Sequence, residues 1–478
     1  MDAHQQPRRL VVIGGGPSGM AAALEAVKNG AEPLVLERLD KVGGLARTIE
    51  HDGNRFDIGP HRFFTLNPEI KQLFIDVCGD DLVHVPRLTR IYYKGVFFNY
   101  PLTPFNALFG LGVSASIAAV ASYGISRLRR LVNSAPPESF EEWIVDRFGQ
   151  RLYRTFFKTY TEKVWGIPCT RIGADWAEQR IKGLSLTAAI VNALFRPKKK
   201  TIKTLVDQFM YPRLGAGQLY EKMQRTVVAG GGAVRTGVEV TRVKHDGFRV
   251  LSIDSVDAEG QCETRTGDFY LSSAPLTELV EQLDPPAPSE VLAACRGLRY
   301  RNHVGVNLVV EGAAPFADNW IYVHSPDVKM ARISDYRNFS REMAGSADSH
   351  PMTVEYFCFP DDEIWTATDA ELVRRAVDEL ATTGIKAVPD RGFVVRSEKA
   401  YPVIERGFAE KIETIKAYLD QFENLLPIGR SGMFKYNNQD HAMATGIYAA
   451  RTALGQGRFD PWRVNIDGVY HESAELTA

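Results

Sequence analysis

The stretch "RLVVIGGGPSGMAAALEAVKNGAEPLVLE", Arg9 to Glu37, carries the plainest structural pattern in the chain. It reads as a β-branched strand, a glycine turn, a helix closing near Gly30 and a second strand ending on Glu37. The glycines stand at Gly14-x-Gly16-x-x-Gly19, and each has a mechanical task. Gly14 turns the chain, Gly16 lets backbone approach a pyrophosphate, and Gly19 allows close helix packing. The helix N-terminus adds a positive field at the same spot. Glu37, about 20 residues beyond the glycines, is placed to accept from a ribose hydroxyl and to repel a 2′-phosphate. A dinucleotide site is the expectation, against a glycine-rich turn of purely structural use.

Composition limits the remaining possibilities. The 478 residues are 45% hydrophobic and 24% charged, enough for a large core divided into two or three domains. Lys plus Arg number 57 against 58 Asp plus Glu, so the charge balance points to no nucleic acid. The five cysteines are scattered with no CxxC pair, which predicts a reducing, cytoplasmic setting, no disulfide framework and no metal. No signal peptide is expected, because the apolar run after Arg8-Arg9 dissolves into glycines.

Downstream, "ERLDKVGGLARTIEHDGNRFDIGPHRFF" resembles the second segment of FAD enzymes in the amine oxidase and UDP-galactopyranose mutase superfamily. There the pair Gly43-Gly44 and the loop with Gly59, Pro60 and His61 lie along the flavin, and Arg47 joins the cofactor-binding set. Leu45 follows the glycine pair, as in eukaryotic-type mutases, where amine oxidases usually carry Arg. The segment from Ser139 to Ile181, with Val-Trp-Gly-Ile-Pro at Trp165 and an arginine at Arg180, is similar to the mutase substrate domain. "YPRLGAGQL", "KAYPVIERG" and "IGRSGMFKYNNQDHAMATG" continue the resemblance in the same order. The last of these, with Gly429, Arg430, Asn438, Gln439 and Asp440, is similar to the motif whose helix points its N-terminus at the flavin pyrimidine ring. On this reading the polar residues cap the helix, while Ala442, Ala444 and Gly446 clear room beside the ring.

The resemblance implies an α/β fold: a discontinuous Rossmann-like FAD-binding domain over 1–85, 220–285 and 425–478, and an α+β substrate domain over 86–219 and 286–424. Val240 is expected to pass the adenine. In the mutase reading FAD is reduced by NADH or NADPH, Arg180 grips a phosphate, and Tyr401, Tyr436, Tyr100 and Trp165 line the substrate pocket. His61 stands beside the flavin, with Arg87 and Arg430 on the cofactor side. One departure is visible. The mutases carry a second phosphate-binding arginine near the end of the strand "LRYRNHVGVNLVVEG", where this chain has Val309 and Val310. That favours a lipid-linked sugar, or a substrate with no phosphate, over a UDP-sugar. The competing reading is a redox flavoenzyme resembling protoporphyrinogen oxidase, amine oxidase or phytoene desaturase, acting on an apolar or amine substrate.

Two stretches raise the question of a membrane. Gly95 to Ser126 holds no charged residue and runs into "SRLRRL". A buried helix, a peripheral membrane contact and a span all remain open for it. "LFRPKKKTIK", Leu194 to Lys203, adds basic residues suited to anionic lipid.

Overall fold

A computed structural model describes residues 8–102, 106, 110–132, 135–180 and 208–465, without the side chains of Gln179, Arg180 and Asp390. Its first element is the strand Arg9–Ile13, whose Leu10, Val11 and Val12 are fully buried. Gly14, at φ +96°, makes the turn into helix Pro17–Lys28. A Cβ on Gly19 would stand 1.9 Å from the Gly14 carbonyl oxygen, so only glycine lets the helix settle against the turn. The returning strand Glu32–Glu37 pairs in parallel with the first.

These strands centre a five-stranded parallel sheet in the order 425–427, 269–272, 9–13, 32–37, 233–236. Every strand comes from the three segments that the sequence assigned to the FAD-binding domain. A four-stranded layer, built from the meander 238–245, 250–257, 262–265 and from 283–284, adjoins it. Helix Gln439–Ala453 crosses the first helix closely: a Cβ on Gly446 would lie 2.0 Å from the Ser18 carbonyl oxygen. Gly446 therefore makes room for a helix and not for the flavin ring, and Ala444 is buried in the same core.

The second half is organised by a seven-stranded sheet in the order 389–402, 300–311, 349–358, 332–335, 320–323, 89–93, 96–99. Its strands Tyr300–Glu311 and Ser349–Cys358 are buried along almost their whole length. One face packs Val304, Val306 and Val354 against Leu372, Ala376 and Leu380 of helix Asp369–Thr382. The other carries Phe357 into a cluster with Phe140, Phe148, Phe156 and Trp165 from the helical layer 140–165. The expected boundaries at 85/86 and 219/220 fall inside continuous structure. Strand Leu82–Pro86 pairs with Gln208–Pro212, and helix Gly217–Ala229 runs across the second boundary.

The uncharged stretch forms part of the hairpin 89–99 and then helix Val113–Val132, of which only Ala119 and Ser126 are buried. A buried helix is therefore excluded. Among the described residues no helix is long and apolar enough to cross a membrane. Lys198, Lys199 and Lys200 lie outside the described residues.

Candidate active site

A cavity of about 1200 Å³ runs from the glycine turn to the helical layer of the second half. At its first end Gly14, Gly16, Pro17 and Ser18 meet Glu37 and Arg38, with Val238 to Val240 as the facing edge. The Gly43 N–H donates to the Gly15 carbonyl at 2.8 Å, pinning the two glycine turns together. A Cβ on Gly44 would come within 3.1 Å of the Gly16 Cα. Only bare backbone leaves this end open to a pyrophosphate. Glu37 accepts from the N–H groups of Gly15 at 2.6 Å and Leu39 at 2.9 Å. Burial lifts its pKa, while those two bonds work the other way. Arg47 lines the cavity and donates to the Gly44 carbonyl at 2.8 Å.

The middle of the cavity is lined by Gly44 to Arg47, Gly59 to His61, Arg430, Asn437 to Asp440 and Ala442. Asp57 fixes the loop before Gly59, accepting from Thr48 Oγ1 and Tyr211 OH at 2.6 Å each. His61 Nδ1 is buried with no hydrogen-bond partner among the described residues. Burial, reinforced by the Arg430 charge, pushes the His61 pKa down to about 3, so its imidazole is neutral. Asn438 caps helix Gln439–Ala453, its N–H donating to His441 Nδ1 at 3.4 Å, and Gln439 Oε1 accepts from Tyr220 OH at 2.7 Å. The helix N-terminus thereby borders the cavity.

At the far end the rings of Tyr401 and Tyr436 meet at a tilt, 5.5 Å between centres, and the Arg430 guanidinium lies 5.1 and 4.9 Å from those centres. Trp165 meets Tyr436 and Trp176, while Tyr100 packs on Tyr322. Arg332, Glu355 and His303 join this end, although the sequence reading passed over them. Arg332 and Glu355 are cross-strand partners 2.5 Å apart, and His303 Nε2 lies 2.9 Å from the same Glu355 oxygen. Gly305, opposite Glu355, leaves the space that the His303 ring borders. Burial works against the Arg332 charge, but Glu355, with Tyr401 and Tyr160 behind it, holds the guanidinium protonated well above its ordinary range. Burial likewise opposes the Glu355 charge, yet Arg332 and His303 keep that carboxylate below its ordinary pKa. Arg332 Nη2 also donates to Tyr401 OH at 3.4 Å, leaving the phenol proton available to a ligand oxygen.

Most of the expected residues thus line one cavity. Gly19, Gly43 and Gly429 do not: Gly19 lies in the first helix against the Gly14 turn, and the other two shape turns behind the cavity. Arg87 also stands back, its guanidinium 5.2 Å from the ring centre of Tyr100 and 5.6 Å from that of Trp320. Arg180 ends helix Ala174–Arg180, and its side chain lies outside the described residues. Val309 and Val310 belong to hydrophobic cores.

The cradle fits FAD: bare backbone for the pyrophosphate, a carboxylate for the ribose, and a capped helix N-terminus with an unpartnered imidazole nitrogen for the ring. Comparison with known proteins agrees. Coproporphyrinogen III oxidase of Mycobacterium tuberculosis is 24% identical over 434 residues, covering 86% of this chain and 91% of that protein. The structure of reduced UDP-galactopyranose mutase superposes with a TM-score of 0.82 at 20% identity, covering 96% of this chain and 99% of the other. A protein from Exiguobacterium sp. 255-15, assigned as a protoporphyrinogen oxidase, superposes at 0.69 and 18% identity, covering 94% and 100%. At such identities the superpositions establish the fold alone. The family model for flavin-containing amine oxidoreductases matches residues 17–404, and the chain is an FAD-dependent enzyme of that family.

Proposed function

We propose that this flavoenzyme isomerises a sugar phosphate, either a sugar nucleotide or a lipid-linked sugar, with FAD working in its reduced state. The observation that carries the reading is the convergence of Tyr401, Tyr436, Arg430 and Arg332 beside His61. Phenols and guanidiniums on one wall suit phosphate oxygens. FAD, once reduced by NADH or NADPH, supplies an electron pair and recovers it, so that a sugar ring is reshaped with no net oxidation.

The chain's own groups do the rest. Tyr401 donates to the departing phosphate, and Arg332 opposes the charge that grows there. Trp165 offers a flat wall to the sugar. The neutral His61 keeps a lone pair or an N–H beside the flavin ring without adding a positive charge. By resemblance Arg180 supplies a further cation.

One observation favours a second reading, hydride removal by oxidised FAD from an apolar or amine substrate. Phe148, Leu152, Phe156 and Phe157 make the deep wall apolar. The likeness to coproporphyrinogen III oxidase along most of the chain lends it support. Parallel assays of the holoenzyme separate the two, with UDP-sugars and polyprenyl-phosphate sugars offered both anaerobically and in air, and porphyrinogens and amines offered in air. Turnover only after reduction of the flavin, without oxygen uptake, is the expected result. Stoichiometric peroxide from a porphyrinogen or an amine would overturn the proposal in favour of the second reading.

A further inference from the structure

Helix Val113–Val132 is turned inside out. Its inward positions carry Ala119 and Ser126, both buried, and Ala115, Ser116, Ser122 and Tyr123, half-buried. Val113, Ile117, Val120, Ile125, Leu128, Leu131 and Val132 all face outward; Ile117 is 66% exposed and Leu128 65%. Val113, Ile117, Val120, Leu128 and Leu131 recur at helical spacing with Gly124 between them, and Ile125 and Val132 flank this stripe. A helix that packs small and polar residues on its own protein and shows its branched apolar ones outside has its apolar partner elsewhere.

The charges around the stripe identify that partner. Between Asp81 and Glu138 the chain contains no acidic residue. Arg127 and Arg129 are exposed at the helix end, while Arg130 pairs with Asp146 at 3.1 Å. The next elements present Arg151 and Arg154 to solvent, and the Arg151 N–H donates to Ser122 Oγ at 3.1 Å, tying the two layers together. We infer that the outer face of this helix seats on the surface of an anionic lipid bilayer, its axis along the membrane plane.

The seat is rigidly joined to the cavity. A Cβ on Gly149 would stand 2.7 Å from the Tyr123 nitrogen, so the helix lies directly on the layer behind it. Phe148, Leu152 and Phe156 of that layer share a core with Ala119 and also line the apolar end of the cavity. The lipid surface thus adjoins the cavity's apolar end, whichever chemistry the flavin performs.

The test is co-sedimentation of the holoenzyme with vesicles of phosphatidylcholine alone, or mixed equally with phosphatidylglycerol. Binding to the mixed vesicles is expected, weakening as salt is raised. The pair Ile117→Gln/Leu128→Gln should lower it at least tenfold, and Arg127→Gln/Arg129→Gln several-fold. Melting temperature and bound flavin should not change, because all four side chains are exposed. Absence of binding, or equal binding by the variants, would overturn the inference. So would a lipid-free dimer that Ile117→Gln dissolves, since that would assign the stripe to a second copy.

Discussion

At one end of the cavity Glu37 accepts from the backbone N–H groups of Gly15 and Leu39; at the other Glu355 meets the side chains of Arg332 and His303. Both carboxylates are buried, and their pKa values move in opposite directions. Burial wins at Glu37, whereas Arg332 and His303 win at Glu355. The first end is therefore made of chain conformation and tolerates loss of a charge. The second is a balanced set of charges in which each member depends on the others.

The largest expected effect comes from unbalancing the second end. Glu355→Leu leaves Arg332 buried without its counter-ion, a cost of about 3–5 kcal/mol. Thermal unfolding should show it, and Arg332→Met/Glu355→Leu should regain most of the loss. If the single variant melts with the parent, the charges are not coupled as described. At the first end the vulnerable element is backbone. Gly19→Ala drives a methyl into the Gly14 carbonyl, at about 1–3 kcal/mol or more, and the protein should purify without flavin colour.

Tyr401→Phe removes one donor to developing charge. It should lower turnover with the true substrate by about 10–100-fold while FAD affinity, measured by fluorescence quenching, stays the same. Equal loss of both would mean that Tyr401 merely supports the fold. Glu37→Gln should weaken FAD by only about fivefold, near 1 kcal/mol, because Gly15 and Leu39 still find an acceptor in one of the two positions.

Acid separates the two carboxylates most gently. The pairing of Glu355, whose folded pKa is depressed, contributes stability above its unfolded value of about 4.3 and loses it as pH falls through the lower folded value. Glu37, raised, contributes below that value and loses its share as pH rises through the folded one. The double variant lacking Glu355 should therefore lose less stability than the parent on acidification below about pH 4. A parallel loss in both would place the acid sensitivity elsewhere.

The same contrast explains what could be read from the chain. Gly14, Gly16, Gly19 and Glu37 belong to one continuous strand–turn–helix–strand unit, so their spacing carries their geometry. His303, Arg332, Glu355 and Tyr401 sit on four strands whose register is set only by the folded sheet. A signal did exist: Glu355 stands alone among apolar residues in "MTVEYFCF", and a charge there must be paired. Gly446 misled because a small residue near a cofactor motif suits a ring and a crossing helix equally well. The uncharged stretch Gly95 to Ser126, whose second half opens helix Val113–Val132, misled differently. Its composition suits a buried helix, and only the direction of its side chains reveals an outward apolar face.

We propose that Tyr401 and Arg332 form an anion site against the flavin ring. Titrating the oxidised holoenzyme with inorganic pyrophosphate while following the flavin absorption band tests it most directly. A saturable band shift is predicted, lost in Tyr401→Phe and in Arg332→Met/Glu355→Leu but retained in Glu37→Gln. No shift with pyrophosphate, together with a clear one on adding an apolar amine or a tetrapyrrole, would rule out the anion site.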